Sequence, residues 1–449
     1  MKSLINEREE KNELIDLKDS SEVKEKKAVE KDDFAKSSTT EMSKAHKLNP
    51  DKTEKVYKSY KKNQYENGGN SAGRKIPFTI PVGTLLEFRL KRLLFNMGYF
   101  PKVGVIMKTS QDEAAVTITD LDVYGIYVHK DFTSKTLWAD CKSGGAKVHE
   151  RISWIRGIMN TVDINNALFV KGGVRTEVKQ YARKYGIQVL DLRIIEKLEK
   201  DYNILSDDWT GSWNPETQHN QLVTFSRIAV PTNEIFKKIA NFISSDYWVL
   251  DNYSRVKKII TAIRELSNIL DVPIPSEQLV SIKWAINELV CFFLLSTLNI
   301  SKELYYFSDR EKSDTIIEAL SAGDVSNKKR KEIFDAAFRV AYSMVQGQNP
   351  DFIPPADLPS INLGPPRYTE AFKDLINRVT NNPLQYYDLL RFLDFSLMEY
   401  DLQSKDIDHD KLKSMFTNYN DLIIGAKTLL HFISQITGLP LSYFQILKH

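Results

Sequence analysis

Asp140, Cys141 and Lys142 stand in a row at the end of an apolar run, Leu137-Trp138-Ala139, and two further carboxylates, Asp120 and Asp122, lie shortly upstream. Side chains on a strand alternate between faces, so Asp140 and Lys142 share one face and Cys141 points the other way, into a core. The link from Lys130 to Lys135 is polar, and the apolar segments on either side of it can pair as a hairpin. Such a hairpin brings an aspartate of the first strand close to Asp140. Two carboxylates beside an ammonium suit a hard divalent cation and an attacking water.

The surrounding elements alternate helix and strand. Gly83-Thr84-Leu85-Leu86-Glu87 opens a helix in which Leu86, Leu90, Leu93, Leu94 and Met97 share one face, and Gly98 is placed to end it. Thr84 and Glu87 have the spacing of a capping box. Residues 103–107 and 114–118 read as strands, the second running on into the Asp122 segment. After Ser143-Gly144-Gly145, a flexible link, comes a helix with an apolar stripe of Val148, Ile152, Ile155, Met159 and Val162. Lys147, His149, Glu150, Arg151 and Arg156 fall mostly off that stripe, as an ordinary solvated face or as a flank able to hold phosphate. A strand at 167–170, a helix at 176–185 and a strand at 187–192 follow. This alternation predicts an α/β sheet with helices on both faces.

Taken in order, the helix with Glu87, the glycine, the strand with Asp122, the strand ending Asp140-Cys141-Lys142 and the later helix and strand resemble the PD-(D/E)xK, or restriction-endonuclease-like, nuclease superfamily. The resemblance covers residues 80–193, about a quarter of the chain. The segment 166–191, NALFVKGGVRTEVKQYARKYGIQVLD, is similar to the closing strand–helix–strand of Mrr-type and resolvase-like members. Two features depart from the commonest pattern: no proline precedes the first aspartate, and the last carboxylate is Asp rather than Glu. The resemblance implies a mixed central sheet flanked by helices and a Mg²⁺-dependent endonuclease, with Mn²⁺ as a substitute ion. It implies that Asp122 and Asp140 hold the metal, with the Cys141 carbonyl as a further ligand. Glu87 would hold a second metal or orient metal-bound water. Lys142 would orient or deprotonate the water; deprotonation requires a pKa well below the ordinary ~10.4, which adjacent carboxylates oppose. Asp120 shares the strand face of Asp122 and stands as the alternative ligand, and His149 is a weaker candidate. The implied substrate is double-stranded DNA, in restriction, phage defence or repair, although an RNA nuclease would share the chemistry. A different class of function is a platform that binds nucleic acid or protein on the same core without cutting.

Composition sets the outer limits. At 449 residues, two to three domains are expected, and 42% apolar residues with 11% aromatics suffice for sizeable cores. A net charge of +3 does not by itself announce a nucleic-acid binder. Two cysteines, Cys141 and Cys291, exclude a disulfide framework and a cysteine-based zinc site. The N-terminus lacks the apolar segment of a secretory signal, and the run Leu289–Leu298 is too short to span a bilayer, so a soluble cytoplasmic protein is expected. Residues 1–76 are charged and poor in large apolar side chains, the mark of a disordered tail. Within them, Lys47 to Lys62 is more basic and carries Tyr57 and Tyr60, with Tyr65 just beyond; it reads as a solvated tail or as an arm for a phosphate backbone. A nuclease-like domain at 77–195, a connector at 196–231 and an α-helical region at 232–449 complete the expected organisation. The connector is irregular from 207 to 231, around Trp209, Trp213 and Pro215. Helices are predicted at 233–245, 254–270, 276–299, 327–346, 369–380, 383–400 and 410–435, with a proline-rich break at 350–367 that divides the region or loops over it. Lys328-Lys329-Arg330-Lys331 is a charged first helical turn, or a nuclear signal or nucleic-acid contact. A homodimer or protein partner is expected to use this helical region.

Overall fold

A computed structural model of the chain describes residues 82–110, 115–141, 147–229, 233–270, 273–322, 327–355 and 364–447. The charged tail with Tyr57, Tyr60 and Tyr65 lies outside the described residues, and so does Lys142.

Helix α1 (Val82–Asn96) leads into five strands, β1 (Phe100–Lys108), β2 (Thr117–Val128), β3 (Ser134–Cys141), β4 (Asn166–Val170) and β5 (Ile187–Leu190). Their order in the sheet is their order in the chain. β1, β2 and β3 form an antiparallel meander, β4 runs parallel to β3, and β5 runs parallel to β4. Parallel neighbours need a crossover. α2 (Val148–Thr161) supplies the first and α3 (Thr176–Arg183) the second. The result is a mixed sheet flanked by helices, as the alternation of elements predicts.

Gly98 turns the chain out of α1 at φ +95°, a backbone state that favours glycine. The helix begins at Val82, so Thr84 lies in its first turn and does not cap it. One sheet face, with Val123, Leu137, Ala139 and Val170, packs on Leu90 and Leu94 of α1 and on Ile195 of α4 (Leu192–Asp201). The other carries Trp138, Ala167, Phe169 and Val189 and packs on Ile152 and Ile155 of α2.

The rest of the described chain is helical: α5 (Pro215–Ser226), α6 (Asn233–Ser244), α7 (Asn252–Ile269), α8 (Ser276–Leu304), α9 (Asp309–Ala322), α10 (Asn327–Gln348), α11 (Thr369–Asn381), α12 (Pro383–Tyr386), α13 (Leu389–Ser396), α14 (His409–Met415) and α15 (Tyr419–Thr437). Several expectations change here. The stretch expected to be irregular at 207–231 contains α5. The helix expected at 383–400 is α12, α13 and a π turn at Leu397–Asp401, and the one expected at 410–435 is broken between α14 and α15. α9 was not anticipated. The run Leu289–Leu298 belongs to a helix of 29 residues that is long and apolar enough to cross a membrane by length and composition, and 83% of its most apolar window is buried within the protein.

The segment expected as a linker is bound to the sheet module. Arg92 of α1 is 2% exposed, stacks 4.2 Å over Trp209, and donates to the carbonyls of Leu205 and Asp208 at 2.9 and 2.8 Å. Lys91, 3% exposed, donates to the Ser212 carbonyl. Trp213 lies between Phe95 of α1 and Phe395 of α13, with ring centroids 4.7 and 5.1 Å away. One apolar cluster therefore runs from Phe95 through α8 to Ile446.

A buried charge cluster lies along the same junction. Lys102 of β1 reaches Glu288 of α8 at 2.5 Å and Asp394 of α13 at 3.3 Å, and all three side chains are at least nine-tenths buried. Burial pulls the Lys102 ammonium toward neutrality, but Glu288 and Asp394 override it and hold its pKa above the ordinary value.

Candidate nucleic-acid interface and its carboxylate pair

The β2–β3 register pairs Val123 with Ala139 and Tyr124 with Trp138, so the next step sets Asp122 opposite Asp140. Both point to the α2 face, because Val123 and Ala139 pack on the other. Cys141 turns to the opposite face and packs against the α1 cluster, as expected.

The partners of the two carboxylates decide what the pair can do. One Asp122 oxygen accepts the Cys141 backbone N–H at 2.6 Å. Asp140 is 1% exposed and is gripped by Arg151 of α2 through two hydrogen bonds, Nε to Oδ2 at 2.9 Å and Nη2 to Oδ1. This is the bidentate fork that guanidinium and carboxylate make best. The Arg151 guanidinium also lies 3.6 Å over the Trp154 ring, and Trp154 meets the fully buried Trp138 edge-on at 5.5 Å.

A Mg²⁺ or Mn²⁺ ion wants several oxygen ligands and keeps bound water. Here the oxygens of Asp140 are satisfied and shielded by an arginine. Asp120 is exposed, and Glu87 is a half-buried residue of α1, which covers the opposite face of the sheet. Among the described residues no group of three or more His, Cys, Asp and Glu side chains could hold a metal. As placed, Glu87 lies across the sheet from Asp122 and Asp140, and a divalent ion at Asp140 would have to displace Arg151. Lys142, expected to act on the water, lies outside the described residues.

What the site does present is a surface of cations and rings. Between Lys147 and Tyr185 the sequence has eight Lys or Arg against three Asp or Glu. Arg156 lies 4.1 Å over the Tyr185 ring, Tyr185 meets Tyr181 at 5.2 Å, and His149 meets Tyr181 at 6.1 Å. Trp154 and Tyr181 are 37% and 39% exposed. Arg156, Arg175, Arg183 and Lys184 are exposed around them. Helical spacing sets Arg151 beside Trp154, three residues apart on α2, and the turn after α3 brings Tyr185 against Tyr181. The basic flank of α2 is legible in the sequence, but the contribution of Tyr181 from α3 and of Tyr185 from the turn after it is not.

Comparisons with protein-family models, curated proteins and solved structures find no match.

Proposed function

We propose that this chain binds nucleic acid on the outer surface of α2 and α3, beside the Asp122–Asp140 end of a nuclease-like sheet. The observation that carries the reading is the interleaving of rings with basic side chains: exposed Trp154 with half-buried Arg151, and exposed Tyr181 and half-buried Tyr185 with exposed Arg156 and His149. Cations on a phosphate backbone release counterions and supply affinity without regard to sequence, and exposed rings stack on unpaired bases. The Arg151–Asp140 grip holds one cation in the surface at a fixed position. Fluorescence anisotropy with labelled single- and double-stranded oligonucleotides tests this. The parent should bind with a steep salt dependence, and the double variant Arg156→Ala/Tyr181→Ala should bind about tenfold more weakly. Equal binding by parent and variant removes the surface assignment, and no binding by the parent at low salt removes the function.

Cleavage is the second reading. It is favoured by the direct opposition of Asp122 and Asp140 across adjacent strands, at positions the PD-(D/E)xK resemblance requires, and its setting would be restriction, phage defence or repair. Plasmid nicking in Mg²⁺ or Mn²⁺ that disappears with EDTA and in Asp140→Ala would establish it. Cutting that survives in Asp140→Ala would rule this pair out. An intracellular location accompanies either reading, and both cysteines are free thiols.

A further inference from the structure

A cavity of about 420 Å³ opens between the α2 face of the sheet, the C-terminal end of α2 and helices α7 and α8. It is separate from the carboxylate pair. Thr161 and Val162 line it, whereas Arg151 is ten residues earlier on α2, about 15 Å along the helix axis. Its size is in the range of small-molecule sites.

Three chemical zones meet in its wall. The first is cationic. Arg255 and Lys108 line the cavity and no carboxylate does. Lys108 is neutralised by Asp246 at 2.8 Å. Arg255 has no carboxylate within ion-pair distance among the described residues; its guanidinium donates to the carbonyls of Tyr247 and Trp248 and to Asn252, at 2.7, 3.3 and 3.1 Å. Three of its five N–H groups are thereby used to fix its orientation, leaving two for an anion. The second zone is aromatic: Tyr124 and Trp248 meet at right angles with centroids 5.5 Å apart and form a corner for a flat ring. The Trp248 indole N–H is buried and has no acceptor among the described residues. The third is hydroxyl-bearing, with Ser134, Thr136 and Thr161 around the same space; Thr161 donates to the Gly157 carbonyl at 2.9 Å and Thr136 is hydrogen-bonded to Asn165, so Thr161 keeps its oxygen lone pairs and Ser134 its hydroxyl for a ligand.

We infer that this cavity binds a nucleoside monophosphate, its phosphate on Arg255 and Lys108, its base in the Tyr124–Trp248 corner and its sugar among the threonine and serine hydroxyls. An isolated positive charge selects an anion, the aromatic corner selects a planar body, and the hydroxyls between them select a polyol. The site does not depend on the nucleic-acid reading of α2 and α3. A ligand seated there touches strands β1 to β3 on one side and α7 and α8 on the other, so its binding stabilises the junction between sheet and helices.

The test uses the full chain with AMP, GMP, CMP and UMP as probes, alongside the matching nucleosides and inorganic phosphate, by thermal shift and titration calorimetry. At least one nucleotide should raise the melting temperature saturably. Its affinity should fall about tenfold in Lys108→Met, in which Asp246 is left uncompensated, and binding should be lost in Thr161→Trp, where an exposed helix-end position is used to fill the opening. Both positions are at least partly exposed, so the fold tolerates them, and circular dichroism verifies it. Absence of saturable binding by all four nucleotides, equal binding of inorganic phosphate or nucleoside alone, or unaltered affinity in both variants would overturn the proposal.

Discussion

Two clusters of paired charges meet this sheet, and they differ in what surrounds them. At the β3 end, Asp140 is buried but Arg151 is not: the guanidinium side chain is 20% exposed and continues into the rings and cations of α2 and α3. At the sheet–helix junction, Lys102, Glu288 and Asp394 are enclosed on every side, with side-chain exposures of 9, 5 and 0%. The residue types are nearly the same. Access to solvent separates a group that can exchange partners with a ligand from one that can only hold elements together. A buried pair of this kind is costly to break and gives little net stability compared with an apolar replacement.

The contrast is most severely tested by removing the enclosed cation. Lys102→Met removes the ammonium that Glu288 and Asp394 hold within ion-pair distance and leaves only the more distant charge of Lys91 nearby, and Asp394 Oδ2 already lacks a hydrogen bond among the described residues. A loss of about 3–5 kcal/mol in urea denaturation at neutral pH is expected. Replacing all three, Lys102→Met with Glu288→Met and Asp394→Leu, should recover most of that loss. A single-variant cost below about 1 kcal/mol would show that the cluster is hydrated and that the two sites are alike.

A second enclosed lysine gives an effect with an unusual pH dependence. Lys91 is fully buried, and burial lowers its pKa to about 8 from an ordinary 10.5, against the upward pull of Asp394. Between those values the unfolded chain keeps the proton and the folded chain has lost it. The unfolded state binds more protons there, so this group makes stability rise with pH across the window, by on the order of 3 kcal/mol. Below about 8 both states are protonated and the burial penalty is fully present. Denaturation of the parent and of Lys91→Met at a series of pH values isolates the term. The stability of the parent relative to the variant should climb from pH 8 to 10.5, and a flat or falling difference would refute it.

Lysines and arginines mark the limit of what the sequence discloses. The alternation of helices and strands, the α/β sheet flanked by helices and the helical region after it were readable, because alternation and apolar stripes are local signals. Lys91, Arg92 and Lys102 look in sequence like solvated positions. Each is buried because its partner arrives from far along the chain; Glu288 stands 186 residues after Lys102 and Ser212 stands 121 after Lys91. The packing of the 207–231 stretch was hidden for the same reason, since Trp209 and Trp213 meet α1, and Trp213 meets α13, besides their hydrogen bonds to near neighbours. The partner of Asp140 was not legible either. Asp122 and Asp140 do come opposite each other, but no local pattern says that Arg151, eleven residues after Asp140, will take both of its oxygens.

The smallest expected effect concerns that pair and separates the functional readings. In Asp140→Asn the side chain keeps its shape and one acceptor oxygen, while Arg151, partly exposed, loses its counter-charge but not its access to water. The stability cost should be about 1 kcal/mol, well below that of Lys102→Met. The released guanidinium has its charge available for phosphate, so oligonucleotide affinity should rise by about two- to fivefold, with a steeper salt dependence. If the surface of α2 and α3 is the binding site, loss of a negative charge beside it must favour an anionic ligand. Unchanged or weaker binding in a folded Asp140→Asn would mean that Arg151 already reaches the nucleic acid from its grip on Asp140, or that the nucleic acid binds elsewhere. The second possibility is separated from the first by Arg151→Met, which weakens binding only if the arginine is part of the surface.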